Sequence, residues 1–360
     1  MVTQASASGD TTAPPRPDTV RRGLVLGGGG MLGAAWTIGA LCAVEESVGW
    51  RPGGAEVILG TSAGSILGAM LASGVHGWQL RDHQRGLPIT SGPLAGVDFD
   101  YDTAVGGALP PRPRPGIGSP GLLRDAVRHP REYPLLTMVS AVVPTGRGSV
   151  APVGDLVRSL AGADGRFGGP DGQPGGSPLR VVAVDYRTGH RVTFGDEDAP
   201  PAEVAEAVMA SCAIPGWFAP VELAGGPYVD GGCWSATNAD LMLGRGLDEV
   251  YVLAPMALRL HPQGRTEPGR GTLAALREWR ERDRPRGVLA QLVSRYRRSV
   301  TRQMLREARL LRAAGIRVQL LAPTLEDLAV MGPNMMDPAR RGEVLECALR
   351  TSRAALAGVR

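Results

Sequence analysis

Apolar residues in this sequence form two kinds of pattern that alternate along the chain. Short, mostly apolar runs are typical of strands buried on both faces of a sheet, and between them apolar residues recur at helical spacing, as in 34–48, 63–71 and 201–209. The predicted strands are 23–26, 56–59, 179–184, 191–194, 249–254 and 316–321, of which 179–184 and 191–194 would pair as a hairpin. This alternation predicts an α/β fold with a mostly parallel sheet covered by helices on both faces.

Composition divides the chain into segments. Residues 1–20 are rich in Ser, Thr, Ala, Pro and Asp and contain no apolar run, which predicts a disordered tail. We expect one domain over 21–325, with a cap of helices and loops over 75–178, where Pro and Gly interrupt short apolar pieces. Residues 326–360 are predicted to form a helical segment packed on the same domain.

A serine lies at the junction of a strand and a helix. The strand at 57–59 runs into Gly60-Thr61-Ser62-Ala63-Gly64, and a helix pattern follows. In Gly-x-Ser-x-Gly the sharp turn exposes the serine hydroxyl, and the glycines let strand and helix approach closely. Ser62 would lie at the helix N-terminus, which favours an alkoxide. An ordinary turn with a serine N-cap has the same local sequence, so this motif alone leaves both interpretations open.

A glycine-rich loop follows the first strand, at 27–33. Gly28, Gly30 and Gly33 match the Gly-x-Gly-x-x-Gly pattern of dinucleotide sites, in which the next strand ends in an acidic residue. Here the next strand ends in the serine motif, which argues against such a site. The exposed N–H groups of Gly28, Gly29 and Gly30 would instead hold an oxyanion.

An aspartate ends a later strand, in Tyr228-Val229-Asp230-Gly231-Gly232. Asp-Gly after a strand is also a common turn signal, so Asp230 has a structural interpretation beside a chemical one. A helix containing 238–243 is predicted to follow it.

These motifs acquire specificity from their order and spacing. GGGGMLG at 27–33, GTSAG at 60–64, and YVDGG at 228–232, the last preceded by ASCAIPGWF at 210–218, together resemble the patatin-like phospholipase family. The resemblance spans roughly residues 23–260.

The resemblance implies a three-layer α/β/α sandwich and a Ser-Asp dyad, with Ser62 as nucleophile and Asp230 as its partner. Family members hydrolyse acyl esters of phospholipids, galactolipids or neutral lipids. The resemblance also implies roles for eight glycines: Gly28, Gly29, Gly30 and Gly33 in the oxyanion loop, and Gly60, Gly64, Gly231 and Gly232 beside the two catalytic residues.

The sequence departs from the family pattern at two places. Leu32 stands where the glycine loop usually carries a basic residue, which puts a preference for anionic head groups in doubt. The Asn-x-Pro that often follows the aspartate motif is missing, and Asn238 is the structural counterpart we expect.

The mechanism implied is acyl transfer through an acyl-enzyme, in which Asp230 takes the Ser62 proton. One alternative is a Ser-Asp-His esterase of the α/β-hydrolase type, because His261 follows Asp230 in the order found there. Another is a catalytically weak lipid-binding or regulatory protein.

Composition narrows the partners and cofactors. A net charge of +4 with 4% aromatic residues argues against nucleic acid, and all 39 basic residues are arginine, which excludes a Schiff-base lysine and a Walker lysine. The spacing of the four cysteines fits neither a metal site nor a disulfide framework, so we expect no metal, no cofactor and a reducing compartment. These cysteines are Cys42, Cys212, Cys233 and Cys347. Arg21-Arg22 is superficially like a twin-arginine export signal, but four glycines break the apolar segment that follows, so we expect a cytoplasmic protein.

The stretch 277–312 holds twelve arginines against four acidic residues, a local net charge of +8. Apolar residues recur within it at helical spacing. This combination predicts peripheral contact with an anionic membrane, or alternatively a helix whose apolar stripe packs on the core while its arginines are solvated.

Overall fold

Eight strands form one mixed sheet in the computed structural model. The strands are β1 Arg22–Leu26, β2 Val57–Thr61, β3 Leu179–Asp185, β4 Arg191–Phe194, β5 Val221–Leu223, β6 Gly226–Asp230, β7 Glu249–Leu253 and β8 Arg317–Leu321. The structure describes residues 20–97, 99, 109, 111–160, 165, 167, 177–259 and 288–357. The predicted tail therefore lies outside the described residues except for residue 20.

The described helices are α1 Gly30–Val48, α2 Ala63–Ala72, α3 Gly77–Gln84, α4 Pro120–Arg128, α5 Leu135–Val142, α6 Ala151–Leu160, α7 Val204–Cys212, α8 Val288–Ala313, α9 Leu325–Met331 and α10 Arg341–Ala357. Four of them, α3 to α6, fall in the region predicted as a cap. The predicted helix at 238–243 is wrong: a short 3-10 turn, Ala239–Met242, stands there instead.

The sheet runs in the order β5-β6-β3-β2-β1-β7-β8, and β4 also pairs with β3. Five adjacent strands of the sheet are parallel, namely β3, β2, β1, β7 and β8. Strands β4 and β6 pair with β3 in the antiparallel sense. The hairpin predicted from 179–184 and 191–194 is therefore confirmed. Because β1 and β2 are parallel neighbours, the glycine loop and the serine turn that follow them meet at one edge of the sheet.

Strand β1 shows how the layers form. Leu24 and Leu26 pack in a cluster with α1, α2, α7 and α10 on one face of the sheet, and Val25 packs with α8 on the other. Side chains of a strand alternate between faces, so a wholly apolar strand requires a helical layer on each side. The predicted three-layer α/β/α class with a mostly parallel sheet is confirmed.

Helix α1 is long and apolar enough to cross a membrane by length and composition. Most of its residues are nevertheless buried inside the protein, including Trp36, Ile38 and Leu41. It packs closely against α10, where a side chain in place of Gly39 would collide with the Leu345 carbonyl. This is the environment of a core helix, and it ties the C-terminal segment to the sheet domain.

Candidate active site

Ser62 occupies a strained turn between β2 and α2. Its φ of 54° and ψ of −128° lie in a region that residues other than glycine rarely adopt. A Cβ at Gly64 would overlap the Leu26 carbonyl oxygen, so this close crossing of helix and strand requires glycine at 64. The tight turn presents the Ser62 side chain to the pocket described below.

Hydrogen bonds hold the Ser62 backbone in this conformation. Its N–H donates to Ser211 Oγ at 2.8 Å, and Ser211 Oγ in turn donates to the Val182 carbonyl at 2.6 Å. Ser65 Oγ donates to the Ser62 carbonyl at 2.6 Å. Ser211 lies within the 210–218 motif, but sequence reasoning assigned it no role, because the contact joins residues 149 positions apart.

Asp230 ends β6 and is 5% exposed. Burial raises the pKa of its carboxyl to about 6, and interactions with the Ser62 hydroxyl and the Gly232 N–H offset part of that rise. The Gly232 N–H donates to Asp230 Oδ1 at 2.7 Å, and a side chain at 232 would crowd the carboxylate. A carboxylate of this kind is mostly ionised at neutral pH yet is a better base than an exposed aspartate.

Asn238 connects the segment after Asp230 to strand β2, which leads into Ser62. It adopts a left-handed conformation with φ of 51°, and its Nδ2 donates to Thr61 Oγ1 at 3.1 Å and to the Ser235 carbonyl at 2.6 Å. Asparagine tolerates this conformation better than most residues, so the chain turns here instead of continuing as a helix. That Asn238 is the counterpart of the missing Asn-x-Pro stays a prediction.

A buried carboxylate, Glu307 of α8, supports the same segment. It accepts hydrogen bonds from Ser235 Oγ at 2.7 Å, Thr237 Oγ1 at 2.6 Å and the Ala239 N–H at 2.9 Å. Burial raises the pKa of Glu307, while these donors lower it. Nothing in the sequence pairs 307 with this segment, and we did not predict the contact.

The glycine loop lies against Ser62, since a Cβ at Gly28 would be 3.1 Å from Ser62 Cβ. The Gly28 N–H donates to the Ala236 carbonyl at 2.9 Å, and the Gly33 N–H donates to the Gly29 carbonyl at 3.0 Å. These two N–H groups are therefore engaged, and the expectation that they hold an oxyanion is corrected. Among the described residues, the N–H groups of Gly29, Gly30 and Met31 have no hydrogen-bond partner.

Leu32 is fully buried, so at this position the chain has a core residue and no charge near the pocket. Its N–H donates to the Met335 carbonyl at 3.0 Å, which fixes the start of α1 against the segment after α9. Leu32, which departs from the family pattern, therefore takes part in the packing of α1.

An apolar pocket opens beside Ser62, with an empty volume of about 780 Å³ that includes its open mouth. It is lined by successive turns of α1 and α2 and by residues of α3, α6 and the segment after α7. The lining includes Met31, Ala34, Ile38, Ile66, Leu67, Met70, Leu80, Val153, Leu156, Ile214 and Phe218. A pocket of this size and composition beside the Ser62 hydroxyl suits the apolar part of a ligand.

Two predictions concern residues that the structure describes only in part or not at all. His261 lies outside the described residues, as does 277–287 of the arginine-rich stretch. In the described part of that stretch, Val300, Met304, Ala308 and Leu311 are buried in the core. Their side chains are therefore not available to a membrane, whereas several arginines of α8 are exposed.

The described residues contain no group of three His, Cys, Asp or Glu side chains that could hold a metal ion. All four cysteines are buried and unpaired by disulfides.

The family model described as patatin-like phospholipase matches residues 24–243. No curated protein matches the chain. Among solved structures, VipD from Legionella pneumophila is similar at 15% identity and a TM-score of 0.41, over 94% of this chain and 67% of that one. Since the family model covers well over half of the sequence, the chain belongs to the patatin-like phospholipase family.

Proposed function

We propose that this protein is a serine lipid acyl hydrolase, of the phospholipase A or lysophospholipase and esterase type, that works through a Ser62-Asp230 dyad. The observation that carries the proposal is the interaction of Ser62 with a buried carboxylate beside an apolar pocket. Family membership supports lipid acyl hydrolysis in general, and the dyad and the ester class are the finer parts of the proposal.

In the first step, Asp230 accepts the Ser62 proton as Oγ attacks the ester carbonyl. The carbonyl oxygen becomes an oxyanion, which the free N–H groups of Gly29 and Gly30 can receive at the start of α1. The tetrahedral intermediate then expels the alcohol, which takes the proton from Asp230, and an acyl-enzyme forms.

Water completes the cycle. Asp230 deprotonates a water molecule that attacks the acyl-enzyme, the same N–H groups hold the second oxyanion, and Ser62 leaves with the returned proton. The acyl chain lies in the pocket throughout, so the fatty acid is the last product released.

The test compares three variants on p-nitrophenyl butyrate. Ser62→Ala should abolish turnover, and Asp230→Asn should lose roughly a hundredfold or more, the range expected for a general base. His261→Ala should stay within a few fold of wild type. Ser159→Ala, an exposed serine of α6, serves as the matched control and should leave turnover unchanged.

The contrary outcomes separate the alternatives. A folded His261→Ala protein as inactive as Ser62→Ala would replace the dyad by a Ser-Asp-His triad, in which histidine takes the serine proton directly. Full turnover by Ser62→Ala would refute the assignment of Ser62 as the nucleophile. A folded wild type that binds fatty acid but hydrolyses no ester would favour a binding or regulatory protein.

We also propose a cytoplasmic protein that touches anionic membranes through the arginines of 277–312. Twelve arginines and a net charge of +8 support this contact. Because Val300, Met304, Ala308 and Leu311 of α8 are buried, these side chains add no apolar contact, and the proposed attraction is mainly electrostatic. Binding that is no stronger to anionic than to zwitterionic vesicles at low salt would contradict it.

A further inference from the structure

One polar side chain in the wall of the acyl pocket has no partner. Gln84, the last residue of α3, lines the pocket and is 5% exposed. Its Oε1 is buried and has no hydrogen-bond partner among the described residues. Most buried polar atoms in folded proteins are paired, so an unpaired one in a ligand pocket needs a physical reason.

Gln84 belongs to a different part of the fold from the catalytic groups. Ser62 and the glycine loop follow β2 and β1, whereas α3 packs on the flank of α1 and contributes Leu80 and Gln84, one turn apart, to the pocket. The other lining residues are mostly apolar, and they include Ile38, Met70 and Phe99. A carboxamide on this wall, carried by α3, would meet the acyl part of a substrate.

The pocket is long enough for that contact to lie well along an acyl chain. Pocket residues of α2 run from Ala63 to Met70, and those of α1 from Gly30 to Ile38. At 1.5 Å of rise per residue, seven or eight residues span roughly 12 Å. An extended chain covers roughly 1.2 Å per bond, so this length holds about ten carbons.

We propose that Gln84 selects acyl chains that carry a hydroxyl group. A hydroxyl is both a donor and an acceptor, so its O–H can donate to Gln84 Oε1 while its oxygen accepts from the same carboxamide. A hydroxyl can therefore bond to the carboxamide even if the positions of Oε1 and Nε2 of Gln84 are exchanged. This inference rests on the proposed acyl hydrolase function and names its substrate class as hydroxyacyl esters.

The rest of the lining argues against an ionised substituent on the chain. The pocket-lining side chains that the structure describes contain no Arg, Asp, Glu or His. An ionised group on the acyl chain would lose its hydration there without a countercharge, whereas a neutral hydroxyl needs only the carboxamide.

The test measures kcat/KM for p-nitrophenyl decanoate and for a series of decanoates with one hydroxyl, placed from carbon 6 to carbon 10. A hydroxyl at carbon 4 or 5 is left out of the series, because it would close to a lactone and release p-nitrophenolate without the enzyme. Wild type should prefer one or two positions of the hydroxyl over plain decanoate by on the order of tenfold. Gln84→Met, which has nearly the same shape, should lose that preference, so that its kcat/KM values for the hydroxylated and the plain decanoates become equal. Gln291→Met, on the exposed side of α8, is the matched control.

Two results would overturn the proposal. If wild type treats all the esters alike, Gln84 selects nothing. If Gln84→Met changes every ester by the same factor, the carboxamide merely holds a pocket water.

A binding assay separates this inference from the proposed function. Ser62→Ala should bind the preferred hydroxydecanoic acid on the order of tenfold more tightly than decanoic acid, and the double variant Ser62→Ala/Gln84→Met should bind both equally. A wild type that hydrolyses no ester while this binding preference persists would refute only the hydrolase. Equal binding of the two acids by Ser62→Ala would refute the selection of hydroxyl groups.

Discussion

Replacing Asp230 with asparagine should make the protein more stable at neutral pH while it removes the activity. The buried carboxyl has a pKa of about 6, against 3.8 for an ordinary aspartate, and burial is the main cause. Between these two values the folded protein binds a proton that the unfolded chain has released. Ionising Asp230 in the folded state therefore costs stability, and the cost grows as pH rises through this window.

The magnitude follows from the shift. A difference of about two pKa units corresponds to about 3 kcal/mol once pH exceeds both values. About 2 kcal/mol of this loss of stability develops between roughly pH 4.5 and pH 7.5. Asparagine keeps the oxygen that accepts from the Gly232 N–H and carries no charge, so it avoids the cost.

Urea unfolding of wild type and Asp230→Asn at these two pH values measures the effect. The stability advantage of Asp230→Asn should be about 2 kcal/mol larger at the higher pH. Asp155, whose side chain is 73% exposed, provides the control. The free energy of unfolding of Asp155→Asn should stay within about 0.5 kcal/mol of the wild-type value at both pH values. An advantage of Asp230→Asn that is the same at both pH values would refute the argument that the carboxylate is desolvated.

Two other predictions come from the same site. The kcat/KM of wild type should fall below about pH 6, about tenfold per pH unit, because in the proposed dyad Asp230 must be ionised to accept the Ser62 proton. A profile that is flat from pH 7 to pH 5 would contradict this role. Ser211→Ala leaves the buried Ser62 N–H without its acceptor, so the free energy of unfolding, measured by thermal unfolding, should fall by about 1–3 kcal/mol. The kcat should fall as well, and Ser159→Ala should show neither change.

The sequence predicted the parts of the site that depend on local geometry. Ser62 follows from a strand, a glycine turn and a helix in one short stretch, and the predicted strands together imply the parallel sheet. Ser211 and Glu307 could not be found in this way, because each acts on a segment far away in the chain. A single sequence carries no signal for such pairs.

Other differences arise where one pattern permits two structures. The apolar stripe of α8 has the spacing of a membrane-facing helix and of a core helix alike, and only its neighbours decide that Val300 and Met304 are buried. Gly28 was expected as an oxyanion donor because its residue type fits, but its N–H is already bonded to the Ala236 carbonyl. Gln84 lies in the weakly patterned cap, where short pieces between Pro and Gly gave no prediction of a pocket wall.

The backbone of Ser62 also has a consequence for how this protein would evolve. A positive φ at a serine costs on the order of 1–3 kcal/mol, which glycine in the same position would not incur. With Ser62 as the nucleophile proposed above, selection for hydrolysis retains this cost. Once that selection ends, glycine is the replacement that relieves the cost, and it is favoured over other residues. A descendant that had lost its activity should therefore carry glycine at position 62 more often than alanine, and its fold would survive the loss of its chemistry.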